Sequence, residues 1–201
     1  MNKGLLIVLS GPSGTGKGTV CKQLLEHEKN LFLSISSTSR EIRPGEEDGV
    51  TYYYTTPEQF QTMIEEEKMM EWAVYNGNYY GTPKEAVEKR LSAGEDVLLE
   101  IDVQGAMKIK EQGFGDVFLF LLPPSMEELR KRLVERGRES TDQIQKRLDT
   151  VEFEIGYADK YDYVVVNDKL DECVEAITEI IHAEKKTAKR NQDLIERVVR
   201  K

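Results

Sequence analysis

The sequence predicts an α/β fold, a parallel sheet with helices on both faces, and three observations predict it. Short, uninterrupted apolar runs recur at Leu5 to Leu9, Val97 to Ile101, Val117 to Leu122 and Tyr163 to Val166. Helical patterns separate several of them, the alternation that a parallel sheet requires. The first run leads directly into a glycine-rich loop that opens a helix. Runs without polar alternation suit strands that are buried on both faces.

Taken in order, Leu5 to Leu9 is the first strand and the helix after the loop carries an apolar face of Val20, Cys21, Leu24 and Leu25. The stretch from about 37 to 89 departs from this pattern. Tyrosines cluster at Tyr52, Tyr53, Tyr54, Tyr75, Tyr79 and Tyr80, with turn signals at Pro44-Gly45 and Asn76-Gly77. The second signal predicts a hairpin. Thr56-Pro57 predicts a helix start with proline in the first helical position. Thr82-Pro83 predicts another, with Glu85 completing a capping box. The stretch therefore reads as hairpins and short helices inserted into the α/β framework. Ser125 with Glu128 predicts a capping box for the helix after Val117 to Leu122. The last helix is expected from near Leu170, and the polar, basic tail from Glu184 reads as a solvated helix end.

The chain has 201 residues, enough for one sizeable core with small inserted subdomains. A net charge of -9 argues against general nucleic-acid binding, which needs a basic surface. Cys21 and Cys173 have no metal-ligand spacing and fit a reducing compartment. His27 and His182 read as surface or packing residues. Lys3 before Leu5 to Leu9 is too short a pattern for a signal peptide, and no run approaches the ~20 apolar residues of a membrane span. A cytoplasmic enzyme with no membrane or nucleic-acid partner is expected.

Gly11-Pro12-Ser13-Gly14-Thr15-Gly16-Lys17 follows a buried strand and opens a helix, the setting that makes a phosphate-loop match credible. Glycines let successive N–H groups turn toward phosphate oxygens, and the helix N-terminus adds partial positive charge. Lys17 supplies a mobile cation for a transferred phosphoryl group. The motif makes the fold a P-loop NTPase-type sheet. One position departs from it. The residue after the lysine is usually Ser or Thr, whose hydroxyl reaches Mg²⁺; here it is Gly18, followed by Thr19. No protein ligand to Mg²⁺ is assigned, and the ion is expected to be held mainly by ATP phosphates and water.

The acceptor must be bound by the insertion. Arg40 and Arg43 stand three residues apart beside Ser36 and its neighbouring hydroxyls, and arginine forks match phosphate oxygens. Tyr52 and Tyr80 can donate to the same phosphate or form a wall for a base. Glu71 can read guanine, because one carboxylate accepts from N1–H and the 2-amino group together. Adenine presents an acceptor at N1 and would be repelled. The hydroxyls of Ser36 and Thr82 can donate to guanine O6.

GPSGTGKGT, SSTSREIRPGE, EWAVYNGNYYGTP, EIDVQGA and RKRLVERGRES through Lys146-Arg147 together resemble guanylate kinases over nearly the full length. The resemblance implies transfer of the ATP γ-phosphoryl group to GMP, and to dGMP, in purine nucleotide metabolism. It implies that Arg40, Arg43, Tyr52 and Tyr80 bind the GMP phosphate and that Ser36, Glu71 and Thr82 read guanine. Glu100 and Asp102 would lie at a strand end near the acceptor and the metal, with Glu100 where some relatives carry aspartate. Asn167 would lie beside adenine. The implied division is a core of 1–36, 90–125 and 149–201, a GMP-binding insertion of 37–89 and a small lid of 126–148.

Residues 130 to 147 carry Arg130, Lys131, Arg132, Arg136, Arg138, Lys146 and Arg147 against Glu135, Glu139 and Asp142, a basic excess in an acidic chain. Arg130 and Lys131 read as a solvated face. Arg136 and Arg147, with Arg138 as a third candidate, read as lid arginines that reach the transferring group on closure. Among rivals, a small GTPase matches Asp102-Val-Gln-Gly105 but not Asn167-Asp-Lys169. A non-catalytic guanylate-kinase-like binding module is the main alternative, and the intact Lys17 argues against it.

Overall fold

A computed structural model describes residues 3–75, 77–135 and 141–199. The chain opens with β1 (Leu6–Ser10), α1 (Lys17–His27) and β2 (Leu31–Leu33). Then come β3 (Ser37–Thr38), β4 (Tyr53–Tyr54), α2 (Pro57–Glu65), β5 (Met69–Tyr75), β6 (Asn78–Pro83) and α3 (Lys84–Ser92). They are followed by β7 (Asp96–Glu100), α4 (Val103–Glu111), β8 (Val117–Leu122), α5 (Met126–Glu135) and α6 (Thr141–Ile155). The last elements are β9 (Tyr163–Val166), α7 (Leu170–Glu184) and α8 (Gln192–Val199).

The main sheet has the order β2-β7-β1-β8-β9, and its pairings are all parallel. Strand β1 is central, with Val8 opposite Leu99 on one side and Phe118 on the other. Its alternate side chains feed two cores. Leu5, Ile7 and Leu9 join Val20, Leu24, Val174 and Ile177 from α1 and α7. Leu6 and Val8 join Val87, Leu91, Val103, Ala106 and Ile109 from α3 and α4. This is the period of two that a strand covered on both faces must show. The apolar runs thus fall on β1, β7, β8 and β9. Strand β2, only three residues long, has no periodic signal in the sequence and lies at an edge.

A second sheet, β4-β3-β6-β5, is built from the inserted stretch. Strands β5 and β6 form the expected hairpin, with Tyr75 opposite Asn78 and Gly77 at φ 76 in the turn. Asn76 lies outside the described residues. Helix α2 starts at Thr56-Pro57 as expected, and a capping box joins Thr56 to Gln59. The capping box expected at Thr82 and Glu85 does not form. Thr82 belongs to β6 opposite Glu71, and its hydroxyl donates to Glu71 Oε1 at 2.7 Å. A buried cross-strand carboxylate has taken the group that would have capped α3, whose N-cap is Pro83 without a side-chain bond. Helix α3 then packs Val87 and Leu91 into the main core.

Ser125 Oγ accepts from Glu128 N at 3.0 Å, but the Glu128 carboxylate pairs with Arg132 at 3.1 Å instead of closing the box. Leu129 and Leu133 of α5 join Ile144, Leu148 and Val151 of α6 in a third, smaller core. Arg136 and Arg138 lie outside the described residues, and so does the side chain of Arg147 within α6. In the tail, α8 buries no residue.

Candidate active site

In a parallel sheet all strand C-termini open on one edge, where ligands bind. Here β1 delivers the glycine-rich loop, β7 delivers Glu100 and Asp102, and β9 delivers Asn167. The loop conformation demands glycine. Gly11 has φ 150, and a Cβ there would lie 2.3 Å from Leu121 O. Gly16 has φ 90, and its Cβ would lie 2.7 Å from Asn167 Nδ2. Side chains and main chain hold the curl between them. Thr15 Oγ1 donates to Pro12 O at 2.8 Å, and Asn167 Nδ2 donates to Thr15 O at 2.7 Å. Lys17 Nζ folds back onto the carbonyls of Gly11 and Pro12. Burial lowers the Lys17 pKa, with Glu100 and Glu154 opposing that shift.

A cavity of about 410 Å³ adjoins the loop, lined by Gly14, Gly16, Thr19, Arg132, Asn167 and Asp168. Arg132 donates from Nη1 to Asn167 O at 3.1 Å and from Nε to Glu128 at 3.1 Å. Sequence reasoning passes over Arg132 as one of many cations. Its i,i+4 spacing from Glu128 is the available signal. Glu154 of α6 is missed as well. Its carboxylate accepts from Ser13 N at 3.4 Å, and burial raises its pKa. No motif marks it.

The two carboxylates at and just beyond the end of β7 part company. Glu100 faces the donor loop: both oxygens lie 3.9 Å from a Cβ built on Gly18, and its charge acts on Lys17 and on the Cys21 thiol. Burial first, and Glu100 second, push that thiol far up. Asp102 caps α4, accepting from Gly105 N at 2.8 Å. No group of three or more His, Cys, Asp or Glu able to hold a metal occurs among the described residues. Mg²⁺ needs only one or two carboxylates beside substrate phosphates and water. Glu100, with no side chain at Gly18 between it and the loop, fits that requirement.

The acceptor candidates gather around the second sheet. Glu71 is 7% exposed, and its Oε2 would lie 3.0 Å from a Cβ on Gly105, so α4 approaches closely only because that residue is glycine. Its pKa is raised, chiefly by burial; the Thr82 hydrogen bond opposes the rise and Asp102 adds to it. Lys108, which donates to Trp72 O at 2.7 Å, is the nearby cation that offsets it. Ser36 is half-buried just before β3. Arg40 lies 5.6 Å from the Tyr52 ring, and Tyr52 meets Tyr80 edge-on at 6.0 Å. Arg40, Tyr52 and Tyr80 are therefore together. Arg43 is exposed, held there through its backbone N–H on Glu46.

A family model described as guanylate kinase matches residues 3–184. The chain belongs to the guanylate kinase family. The guanylate kinase of Caldanaerobacter subterraneus subsp. tengcongensis is 56% identical over 192 residues, covering 96% of this chain and 93% of that one. That of Desulfitobacterium hafniense is 52% identical, covering 94% of each chain. The crystal structure of guanylate kinase from Anaplasma phagocytophilum superimposes with a TM-score of 0.76 at 36% identity, covering 97% of this chain and 95% of that one. A guanylate kinase fold thus carries the parallel sheet, the donor loop and the second sheet described above.

Proposed function

We infer that the chain transfers the γ-phosphoryl group of ATP to GMP, giving ADP and GDP, and that dGMP is a second acceptor. The observation that carries this reading is the buried Glu71 carboxylate, held by Thr82, in a chain whose phosphate loop keeps its glycines and Lys17. Family membership supports the same reaction.

In this reading the loop from Gly11 to Thr19 binds the ATP phosphates, and Asn167 with Arg132 borders the adenine side. Arg40, Arg43, Tyr52 and Tyr80 bind the GMP phosphate; Ser36, Glu71 and Thr82 read the base. The insertion of 37–89 holds GMP, the lid of 126–148 closes over ATP, and Arg136 and Arg147 meet the transferring group, with Arg138 as a third candidate. The attacking atom is a GMP phosphate oxygen, already a nucleophile, so no general base is required. Charge stabilisation and positioning then carry the catalysis. Glu100 is the carboxylate that would hold Mg²⁺, and the ion would supply charge neutralisation at the donor phosphates; Asp102, whose charge acts on Glu71, would lie nearer the acceptor. No helix among the described residues is long and apolar enough to cross a membrane, and the cytoplasm is the compartment we propose.

Phosphorus NMR of ATP and GMP incubated with the chain tests the reading. ADP and GDP should appear in equal amounts. Release of inorganic phosphate in place of GDP would refute it.

A further inference from the structure

One carboxylate outside the assigned set holds the phosphate-binding arginine. Glu46 follows the turn at Pro44-Gly45 and is half-buried. Arg40 donates to it twice, Nη1 to Oε2 at 2.9 Å and Nη2 to Oε1 at 2.8 Å. The Arg43 backbone N–H and the Tyr54 hydroxyl both donate to Oε2 at 2.8 Å. Nη1 also donates to Glu41 O at 2.7 Å. Both Nη1 protons are thereby committed, which leaves Nε and the second Nη2 proton to be shared by the Tyr80 hydroxyl and a second anion. The Tyr80 hydroxyl interacts with the same guanidinium, and the rings of Tyr52 and Tyr54 lie 5.6 and 5.8 Å from it. The hydrogen bonds from Arg40 hold the Glu46 carboxyl down to about 2, so it remains ionised throughout the neutral range.

Resting on the GMP reading above, we propose that Glu46 is a positioning residue for the acceptor phosphate. It clamps the Nη1/Nη2 end of Arg40 and the backbone at Arg43, and so presents the Nε edge of Arg40 to GMP. Two physical effects of Glu46 have opposite signs. An acid beside an anion site repels the incoming phosphate. A fixed, correctly aimed guanidinium binds it better, because less freedom is lost on binding. The four donors on one carboxylate argue that alignment dominates.

The test uses the full chain with Glu46→Gln, Glu46→Ala and Tyr54→Phe. Steady-state kinetics on both substrates, GMP titration calorimetry and melting curves are measured for each. Glu46→Gln should raise the KM for GMP roughly tenfold or more, the effect of losing a charge-assisted hydrogen bond. Its kcat should change less, and its KM for ATP should stay within about twofold, as no donor-site contact is touched. Tyr54→Phe should show the same pattern at smaller amplitude. Unchanged or tighter GMP binding in Glu46→Gln would overturn the proposal, because repulsion would then outweigh alignment. A parallel rise in both KM values with a lowered Tm would overturn it too, reducing Glu46 to a general structural role. If Glu46→Ala fails to fold, the other two variants decide. A wild type that cannot phosphorylate GMP sinks the functional reading itself, whereas an active wild type with an indifferent Glu46→Gln sinks only this proposal.

Discussion

The glycine-rich loop and the second sheet are the two halves of the proposed site, and they are made of different materials. The loop uses main-chain groups within residues 11–17, shaped by glycines at φ 150, 93 and 90 and steadied from outside by Asn167 and Glu154. The second sheet uses side chains gathered from separate strands: Arg40 after β3, Tyr52 before β4, Glu71 on β5, and Tyr80 and Thr82 on β6. A main-chain site is fixed once the curl forms and tolerates change in most side chains. A side-chain site depends on every partner that orients its members, including Glu46, which touches no substrate in this account.

That contrast can be broken first at Lys17, the side chain through which the loop is proposed to act on the transferred group. Lys17→Ala should lower kcat by roughly a thousandfold or more, as expected when a cation is removed from the transferring phosphoryl group. Its amine is buried at a cost to the charged form, so circular dichroism should show an intact fold and Tm should not fall. Near-native turnover in a folded variant would remove the loop from the chemistry.

The arginines proposed for the lid rank next. Arg136→Ala and Arg147→Ala should each reduce kcat by somewhat less than a thousandfold, since several cations share the charge, while raising the KM for GMP little. Arg40→Ala should show the reverse split, because the contact proposed for it with the GMP phosphate would be made in the ground state. Steady-state kinetics on the three variants makes the comparison. A kcat within about threefold of wild type for both lid variants would reduce the cluster to a solvated helix face.

Glu71→Gln comes third, with a loss of roughly a hundredfold in the kcat/KM ratio of GMP over AMP. Its pH behaviour sharpens the point. Burial raises the Glu71 pKa, so the carboxylate that guanine needs is lost as pH falls through a value above the usual carboxylate range. The KM for GMP should rise on acidification for wild type and much less for Glu71→Gln. The stability sign is opposite. A raised folded pKa means that Glu71 favours the fold when protonated, and this contribution is lost as pH rises through that pKa. Glu71→Gln should therefore melt no lower than wild type at neutral pH. A lowered Tm there would show that the carboxylate serves the fold more than the base.

Arg132→Ala is the smallest expected change, a severalfold rise in the KM for ATP with kcat nearly constant. Arg132 borders the cavity beside Asn167 and the loop but is itself partly solvated. An unchanged KM would restrict the adenine side to Asn167.

The same contrast explains what is legible in the sequence. The loop is contiguous, so motif, strand and helix signals fall side by side and point to one site. The strands of the main sheet are legible because burial on both faces leaves uninterrupted apolar runs. Strand β2 is not, because three residues carry no period. The role of Thr82 is misjudged locally: Thr-Pro with Glu85 is a sound cap signal, but the Glu71 carboxylate across the hairpin is a stronger attraction for the hydroxyl. Lys108 and Glu154 give no signal, and the motif that contains Gly105 does not point to Glu71, since each matters through a partner distant in the chain. Glu46 is within reach, six residues from Arg40, but only the turn at Gly45 brings the two together.

The most direct test of the central claim is the initial rate of ADP formation by wild type with GMP, AMP, CMP or UMP as acceptor, and with none. Rapid ADP formation is expected with GMP, with a kcat/KM at least about a hundredfold lower for AMP and almost no ADP without an acceptor. Comparable rates with AMP, or ADP formation that needs no acceptor, would contradict it.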